Sequence, residues 1–403
     1  MYRQLISHFT DNDLYTFTCQ YYVLKTYPRA EVKYKFFDRN KTKYPSNFAK
    51  LLQEQVNYMK DVVITDEEIN FMREKCYYLP EWYYTFLKGY RFNPSEVSIT
   101  QDSDGYLDIT VKGKWYSTIM WEMPLLSCIS ELSHIMNGDV EKYNKKIEYQ
   151  KSYDKMLTAL HNGLVISDMG TRRRFSYEHH YNVISAFVEA TEKASEDLYC
   201  YGRFVGTSNV WLAKEFGLIP IGTMSHQIIS FEETVSGIFE CNNQVMSKWS
   251  ECYDGLNGTY LYDCFGDKVF FNNFQTKYAK LFDGLRVDSG DELEQTKKIV
   301  EKYKSLGIMP STKSVVYSNG LNLEKAIDIH NTVKGEVSDS YGIGTFFTCD
   351  VNDCKPSNIV IKLVRGRITE NREWHDCVKL SCDKGKTLGN EAKCQYLLNI
   401  CHN

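Results

Sequence analysis

Along the second half of the chain, chemically useful side chains stand just past short apolar runs. His226 follows "IPIGTMS", Asp263 closes "TYLYD", and Asp288 closes "LRVD". An imidazole placed beside carboxylates can act as a general base or accept a phosphoryl group. No HxH, HExxH or cysteine pair accompanies His226, so the pattern predicts no metal cage there. In "GLRVDSGDE", Arg286 and Asp288 lie two residues apart on a strand end, facing one side, where they could grip a polar substrate. Asp291 in the same stretch reads as a helix cap. "DMGTRRRFS" sets Arg172, Arg173 and Arg174 between a strand and a helix start. Guanidinium forks and a helix N-terminus together suit phosphate or carboxylate. "YSNGLN", with Asn319 and Gly320, and "YGIGT", with Gly342, Gly344 and Thr345, are glycine turns whose N–H groups could cradle phosphate.

The elements that must position these residues follow from periodicity. From about Leu164 onward, short apolar runs alternate with helical stretches: "LVISD", "GRFVG", "LIPIG", "TYLYD", "LRVDSG", "SVVYSNG" and "VSDSYGIG" each lead into one. Strand–helix alternation over roughly 200 residues predicts a parallel sheet and suits a β/α barrel. An open doubly wound sheet has the same periodicity. The run ends carry Asp168, Thr207, Thr223, Asp263, Asp288, Asn319 and Gly342. That favours the barrel, whose strand ends converge on one face.

Earlier, "VKYKFF" and "YLDITVKG" alternate as strands, the second with Leu107, Ile109 and Val111 on one face. "ITDEEINFMREK" opens with a capping box, Thr65 with Glu68. "WEMPLLSCISELSHIMNG" reads as a buried helix ending at Asn137-Gly138. The late "SNIVIKLVRGRITENREWHDCVKLSC" reads as two strands that pair with the first region, outside the barrel.

Net charge is −4 over 403 residues, with 43% hydrophobic and 25% charged residues. No global field recruits nucleic acid or an anionic membrane. Thirteen cysteines without CxxC pairs predict reduced thiols. With no apolar leader or run of membrane-spanning length, a soluble cytoplasmic protein is expected.

Taken together, "DMGTRRRFS", "GTSN", "IGTMSHQ", "GLRVDSGD", "YGIGT" and "CKPSNIVIKL" resemble nicotinate phosphoribosyltransferases in order and spacing. "NDLYTFT", "RFNP" and "WEMPLLSCISE" extend that resemblance from about residue 10 to about residue 365. It implies an irregular TIM-like β/α barrel over 136–354. Beside it stands a smaller α/β domain over 1–135, completed by 355–403. It also implies a reaction of nicotinate with phosphoribosyl pyrophosphate to give nicotinate mononucleotide and pyrophosphate, the first step of NAD synthesis from nicotinate. ATP is the co-substrate, hydrolysed to ADP and phosphate through a phosphohistidine, with Mg²⁺ accompanying the polyphosphates.

By the same resemblance, His226 is the phosphorylated residue, and Asp263 and Asp288 orient it. Tyr15, Thr223, Arg286 and Met169 form the nicotinate site. Arg172, Asn319, Gly320, Gly342, Gly344 and Thr345 hold the phosphoribosyl group. A homodimer with shared active sites is implied, Tyr15 coming from the partner subunit.

Met169 departs from a usual phenylalanine, Gln227 from a frequent glutamate, and Thr16 and Val287 from common choices. Nicotinamide-using relatives carry aspartate where this chain has Ser208, so the missing carboxylate favours the acid substrate. A non-catalytic nucleotide-binding regulator on the same fold would need none of His226, Asp263 and Asp288.

Overall fold

The computed structural model describes residues 3–351, 354–381 and 387–402. Two sheets organise it. The alternation in "EVKYKFFD" buries Val32, Tyr34 and Phe36 on one face of strand β1 (Glu31–Asp38). Strands β2 (Val97–Gln101) and β3 (Leu107–Lys114) follow, and β3 pairs antiparallel with β1. Ile109 and Val111 are buried as expected, whereas Leu107 is half-buried beside the turn that closes the hairpin, opposite Gln101.

The other neighbour of β1 comes from far along the chain. Strand β11 (Ile359–Arg367) runs antiparallel to it from Glu31↔Arg367 to Asp38↔Ile359, and β12 (His375–Asp376) pairs beyond. The five-stranded order is β12-β11-β1-β3-β2, so the late segment joins the first region as its pattern predicts.

The second sheet is parallel and has seven strands: β4 (Val165–Asp168), β5 (Arg203–Thr207), β6 (Ile219–Pro220), β7 (Thr259–Leu261), β8 (Gly284–Val287), β9 (Ser314–Tyr317) and β10 (Ser338–Ile343). Except for β6 and β7, each pairs with its neighbour in sequence, and the last strand, β10, pairs with the first, β4. That winding is a barrel's. A doubly wound sheet would reverse direction at a switch point. The irregularity is the gap between β6 and β7. Pro220 offers no N–H to continue a ladder, so β6 stops after two residues. Helices His226–Ser236 and Cys241–Tyr253 lie in the connection.

The crossover helices start where the sequence supplies oxygen caps. Ser176, Asp291 and Asn322 accept from the N–H groups of His179, Glu294 and Lys325, each typically worth about 1 kcal/mol. The capping box at Thr65 is present too. Its Glu68 also accepts from the N–H and hydroxyl of Thr10, which anchors the leader of helix Leu14–Thr26. Among the described residues no helix is long and apolar enough to cross a membrane.

Candidate active site

The carboxyl ends of β4–β10 open onto two adjoining cavities, of about 640 and 290 Å³. Arg172, Arg173, Arg286, Ser318, Gly320 and Asn358 border both, so they form one composite cleft.

The turn after β4 is fixed by Asp168. Its carboxylate accepts from Gly170 N (3.0 Å), Thr207 Oγ1 (2.7 Å) and His180 Nε2 (2.7 Å), with no exposure at all. The three arginines that follow divide their work. Arg174 is wholly buried in a bidentate pair with Asp11, at 2.6 and 2.7 Å. That corrects the expectation of three anion-binding arginines: Arg174 anchors the turn, and only Arg172 and Arg173 face the cleft. Burial, with Arg172 and Arg39 nearby, works against the charge on Arg173. The Nε of Arg39 is buried without a hydrogen-bond partner. Cations crowded in this way are stabilised by an incoming anion.

Met169, Gly342, Gly344 and Thr345 line the larger cavity with Gly320. Here the turns after β4 and β10 touch. A Cβ on Gly342 would stand 2.4 Å from Met169 Sδ, and one on Gly344 2.8 Å from the Met169 carbonyl oxygen. Glycine is required at Gly344, where the neighbour is backbone, whereas at Gly342 the flexible Met169 side chain would have to move. Gly320, after β9, takes φ +57°. These two turns follow the last two of seven strands, the position expected of a phosphate cradle.

The smaller cavity holds Tyr15, Glu122, His226, Asp288 and Asn319. His226 opens its helix, and its Nε2 lies 2.9 Å from Asp263 Oδ1 and 3.9 Å from Asp288 Oδ2. Asp263 also accepts from Ser289 Oγ at 2.6 Å. Asp288 accepts from Ser318 Oγ at 2.8 Å and from Arg286 Nη2 at 3.0 Å. A buried lysine completes the group: Lys379 Nζ is 3.6 Å from Asp263 and 3.8 Å from Asp288.

Burial disfavours both charged carboxylates, but Lys379 beside Asp263, and Arg286 then Lys379 beside Asp288, hold them well below the usual range. Burial, reinforced by Lys379, outweighs the attraction of Asp263 and pushes the His226 imidazole down to about 4. The imidazole is therefore neutral near pH 7. With both carboxylates facing Nε2, the proton sits there and Nδ1 keeps its lone pair.

Arg286 spends three N–H groups on the protein: Nε to Ser318 (2.8 Å), Nη1 to Thr223 Oγ1 (3.1 Å) and Nη2 to Asp288. Of the five that guanidinium carries, one remains on each terminal nitrogen, the arrangement a carboxylate can meet with two bonds. The Tyr15 hydroxyl donates to Glu122 Oε2 at 2.9 Å. Burial, with Glu122 alongside, drives the pKa of that hydroxyl well up, so it stays a donor.

Tyr15 reaches this cavity from its own chain. Asp13 bridges to Asn209, Leu14 N donates to the Ser208 carbonyl, and Val210 N donates to the Asn12 carbonyl. The N-terminal segment is thereby laid along the end of β5, and Tyr15 borders the smaller cavity of its own chain. Met169 borders the larger cavity and Tyr15 the smaller.

Ser208 donates to Asp13 Oδ1 at 2.7 Å. A carboxylate does stand beside that position, contrary to the inference from Ser208 alone. Burial raises the pKa of Asp13, weakening its repulsion of an anion. Gln227 accepts from Tyr34 and Trp115 through its amide oxygen, bonds that tie it to the core beside His226.

Sequence reasoning missed Arg39, Glu122, Lys362 and Lys379, all bordering the smaller cavity. Burial pushes Lys362 down to about 8, with Glu122 opposing. Its signal was available, since it is the one charged residue in the apolar run "NIVIKLV".

Two family models match the chain. The nicotinate phosphoribosyltransferase family model covers residues 164–395, and the N-terminal domain model of the same family covers 10–130. A nicotinate phosphoribosyltransferase of Desulforapulum autotrophicum is 39% identical over 98% of this chain and 99% of its own. One from Chromohalobacter salexigens is 37% identical over 96% of each. The crystal structure of nicotinate phosphoribosyltransferase from Porphyromonas gingivalis superposes with a TM-score of 0.93 at 35% identity, covering 99% of this chain and all of the other.

Proposed function

Because the chain belongs to the nicotinate phosphoribosyltransferase family and is thus a phosphoribosyltransferase, we propose that it joins nicotinate to phosphoribosyl pyrophosphate and couples that transfer to ATP hydrolysis through His226. The observation that carries this reading is one cleft in which an arginine with two unspent N–H groups stands near a neutral histidine backed by two carboxylates.

In this reading nicotinate lies against Tyr15, its carboxylate on the open fork of Arg286, which Thr223 helps to orient. Phosphoribosyl pyrophosphate extends toward the glycine turns, with Arg172, Arg173 and Thr345 on its phosphates. The pyridine nitrogen forms the new bond to ribose C1 as the C1–O bond to pyrophosphate breaks. Arg39, Lys362 and Lys379 balance the charge of the departing group.

For the ATP half-reaction, Nδ1 of His226 attacks the γ-phosphorus and ADP leaves. Asp263 holds the Nε2 proton and balances the charge on the ring. Water later cleaves the N–P bond, and its free energy draws the transfer toward mononucleotide. Mg²⁺ fits only as a companion of the polyphosphates. Lys379 already neutralises Asp263 and Asp288, so these carboxylates make no dedicated cage for it.

The reading includes a cytoplasmic homodimer. Nicotinamide is the less favoured base, because it offers no carboxylate to Arg286. The test is incubation with γ-labelled ATP: wild type should take up an acid-labile, base-stable label. His226→Asn should lose the label and ATP stimulation together. Label at the wild-type level in that variant would place phosphorylation elsewhere and overturn the assignment.

A further inference from the structure

A second cluster lies away from His226, where the helix Glu122–Met136 ends. Among the described residues, His134, Asp139 and Cys354 bring three potential ligand atoms within 4.8 Å of one another. The local fold explains the meeting. Gly138 takes φ +73° just past the helix, and Asp139 N then bonds back to the His134 carbonyl. That turn sets Asp139 Oδ2 at 2.9 Å from His134 Nδ1. The ring's other nitrogen, Nε2, is 3.4 Å from Cys349 Sγ.

The surroundings favour a bound cation. His134 and Asp139 side chains are only 3% and 16% exposed. The negative end of the helix dipole points into the site. Phe175 packs on the imidazole at 4.7 Å between ring centres, and Phe175, Cys349 and Val351 form a small apolar cluster against which Tyr143 and Cys354 pack. An apolar shell on this side limits solvent access and lowers the local dielectric around the ligands.

We propose that His134 Nδ1, Asp139 Oδ2 and Cys354 Sγ form a zinc site, with Cys349 holding the imidazole through Nε2. The set of one nitrogen, one oxygen and one sulfur suits tetrahedral Zn²⁺ with water in the fourth position. Ligand bonds of about 2.0–2.3 Å place ligand atoms roughly 3.3–3.6 Å apart in a tetrahedron. The 2.9 Å His134–Asp139 hydrogen bond therefore opens by only a few tenths of an ångström as metal replaces its proton. Binding converts the Cys354 thiol to a thiolate and releases its proton. Nε2–H then donates to Cys349, the outer contact that fixes a ligating histidine's tautomer. Cys349 and Cys354 also border the larger cavity, so the ion would staple the segment following Thr345 to the end of the long helix.

The test is titration of the reduced full-length protein with cobalt(II) chloride, followed by displacement with zinc chloride. One equivalent of cobalt should bind with a sulfur-to-metal charge-transfer band, and zinc should abolish the band. The His226–Asp263–Asp288 group offers no thiolate, so this band separates the two places. Cys354→Ser should lose the band. Asp139→Asn should weaken binding by about 100-fold, and Cys349→Ser by only about 10-fold, as outer contacts do. Far-UV circular dichroism reports whether each variant folds, and Asp139→Asn serves if Cys354→Ser does not. Absence of the band in wild type, or an unchanged band in Cys354→Ser, overturns the proposal. So does complete loss of binding in Cys349→Ser.

Discussion

Replacing Lys379 with methionine keeps the aliphatic stem and removes the cation that faces Asp263 at 3.6 Å and Asp288 at 3.8 Å. At an effective dielectric of about 20, these separations correspond to gross attractions of roughly 4.6 and 4.4 kcal/mol. Desolvation of the ammonium offsets much of that, and breaking a buried pair costs about 3–5 kcal/mol net. His226 responds to the same change. Burial and Lys379 hold its imidazole near 4, below the ordinary 6.5, and that gap amounts to roughly 3.4 kcal/mol. Without Lys379, Asp263 loses its cation while Arg286 still faces Asp288 at 3.0 Å; the carboxylate freed beside Nε2 favours the imidazolium, so the pKa climbs toward the ordinary value.

The sign follows from which form reacts. Only the neutral ring has a lone pair on Nδ1, so raising the pKa removes nucleophile from the acid side. The assay is rapid-quench measurement of phosphoenzyme formation from ATP between pH 5 and 8. The wild-type rate should stay level well below pH 6.5. The Lys379→Met rate should fall as pH drops through that region, so their ratio widens toward acid. A ratio that is constant with pH would show that Lys379 merely grips phosphate, and the electrostatic account of His226 would be wrong.

Arg286→Lys keeps a charge beside Asp288 but loses the fork. Nicotinate KM should rise by about 10- to 100-fold, the worth of one charged hydrogen bond, with that of phosphoribosyl pyrophosphate nearly unchanged. Steady-state kinetics in which both constants move together would contradict the site. Mixing Tyr15→Ala with His226→Asn chains should restore no activity, because both residues serve the cavity of their own chain; partial recovery after proven subunit exchange would mean shared sites. Gly344→Ala should abolish turnover or folding, since its methyl group would meet the Met169 carbonyl oxygen at 2.8 Å; near-normal kcat/KM in a folded variant would show that the turn yields.

Residues close together in sequence were legible before the structure. The strand ends, the capping box at Thr65 and the pairing of Arg286 with Asp288 all follow from period and local spacing. The barrel winding does not, because an open doubly wound sheet has the same periodicity, and the pairing of β10 with β4 is what separates the two. What sequence could not give was assembly across the whole chain. Arg174 has the same chemistry as Arg172, and only tertiary burial against Asp11 separates an anchor from a ligand. Ser208 looked like the absence of a carboxylate, because Asp13 meets it from 195 residues away. Lys379 lies in an irregular stretch after β12 with no period to betray it. Lys362 was readable, as a lone charge in a buried strand, yet it takes the neighbouring helix and β1 to show what it faces.

The place of β11 in the first sheet has a consequence for how the chain is made. β1 leaves the ribosome early, but its partner emerges about 320 residues later, which at usual elongation rates is roughly 15–60 s. Throughout that interval β1 has an open edge, the kind of surface that recruits other strands. Glu31–Asp38 is therefore open to mispairing until Ile359–Arg367 arrives. Messages that stall or end before that point should yield aggregates rather than a smaller working enzyme, since the late segment also carries Lys362 and Lys379 to the cleft.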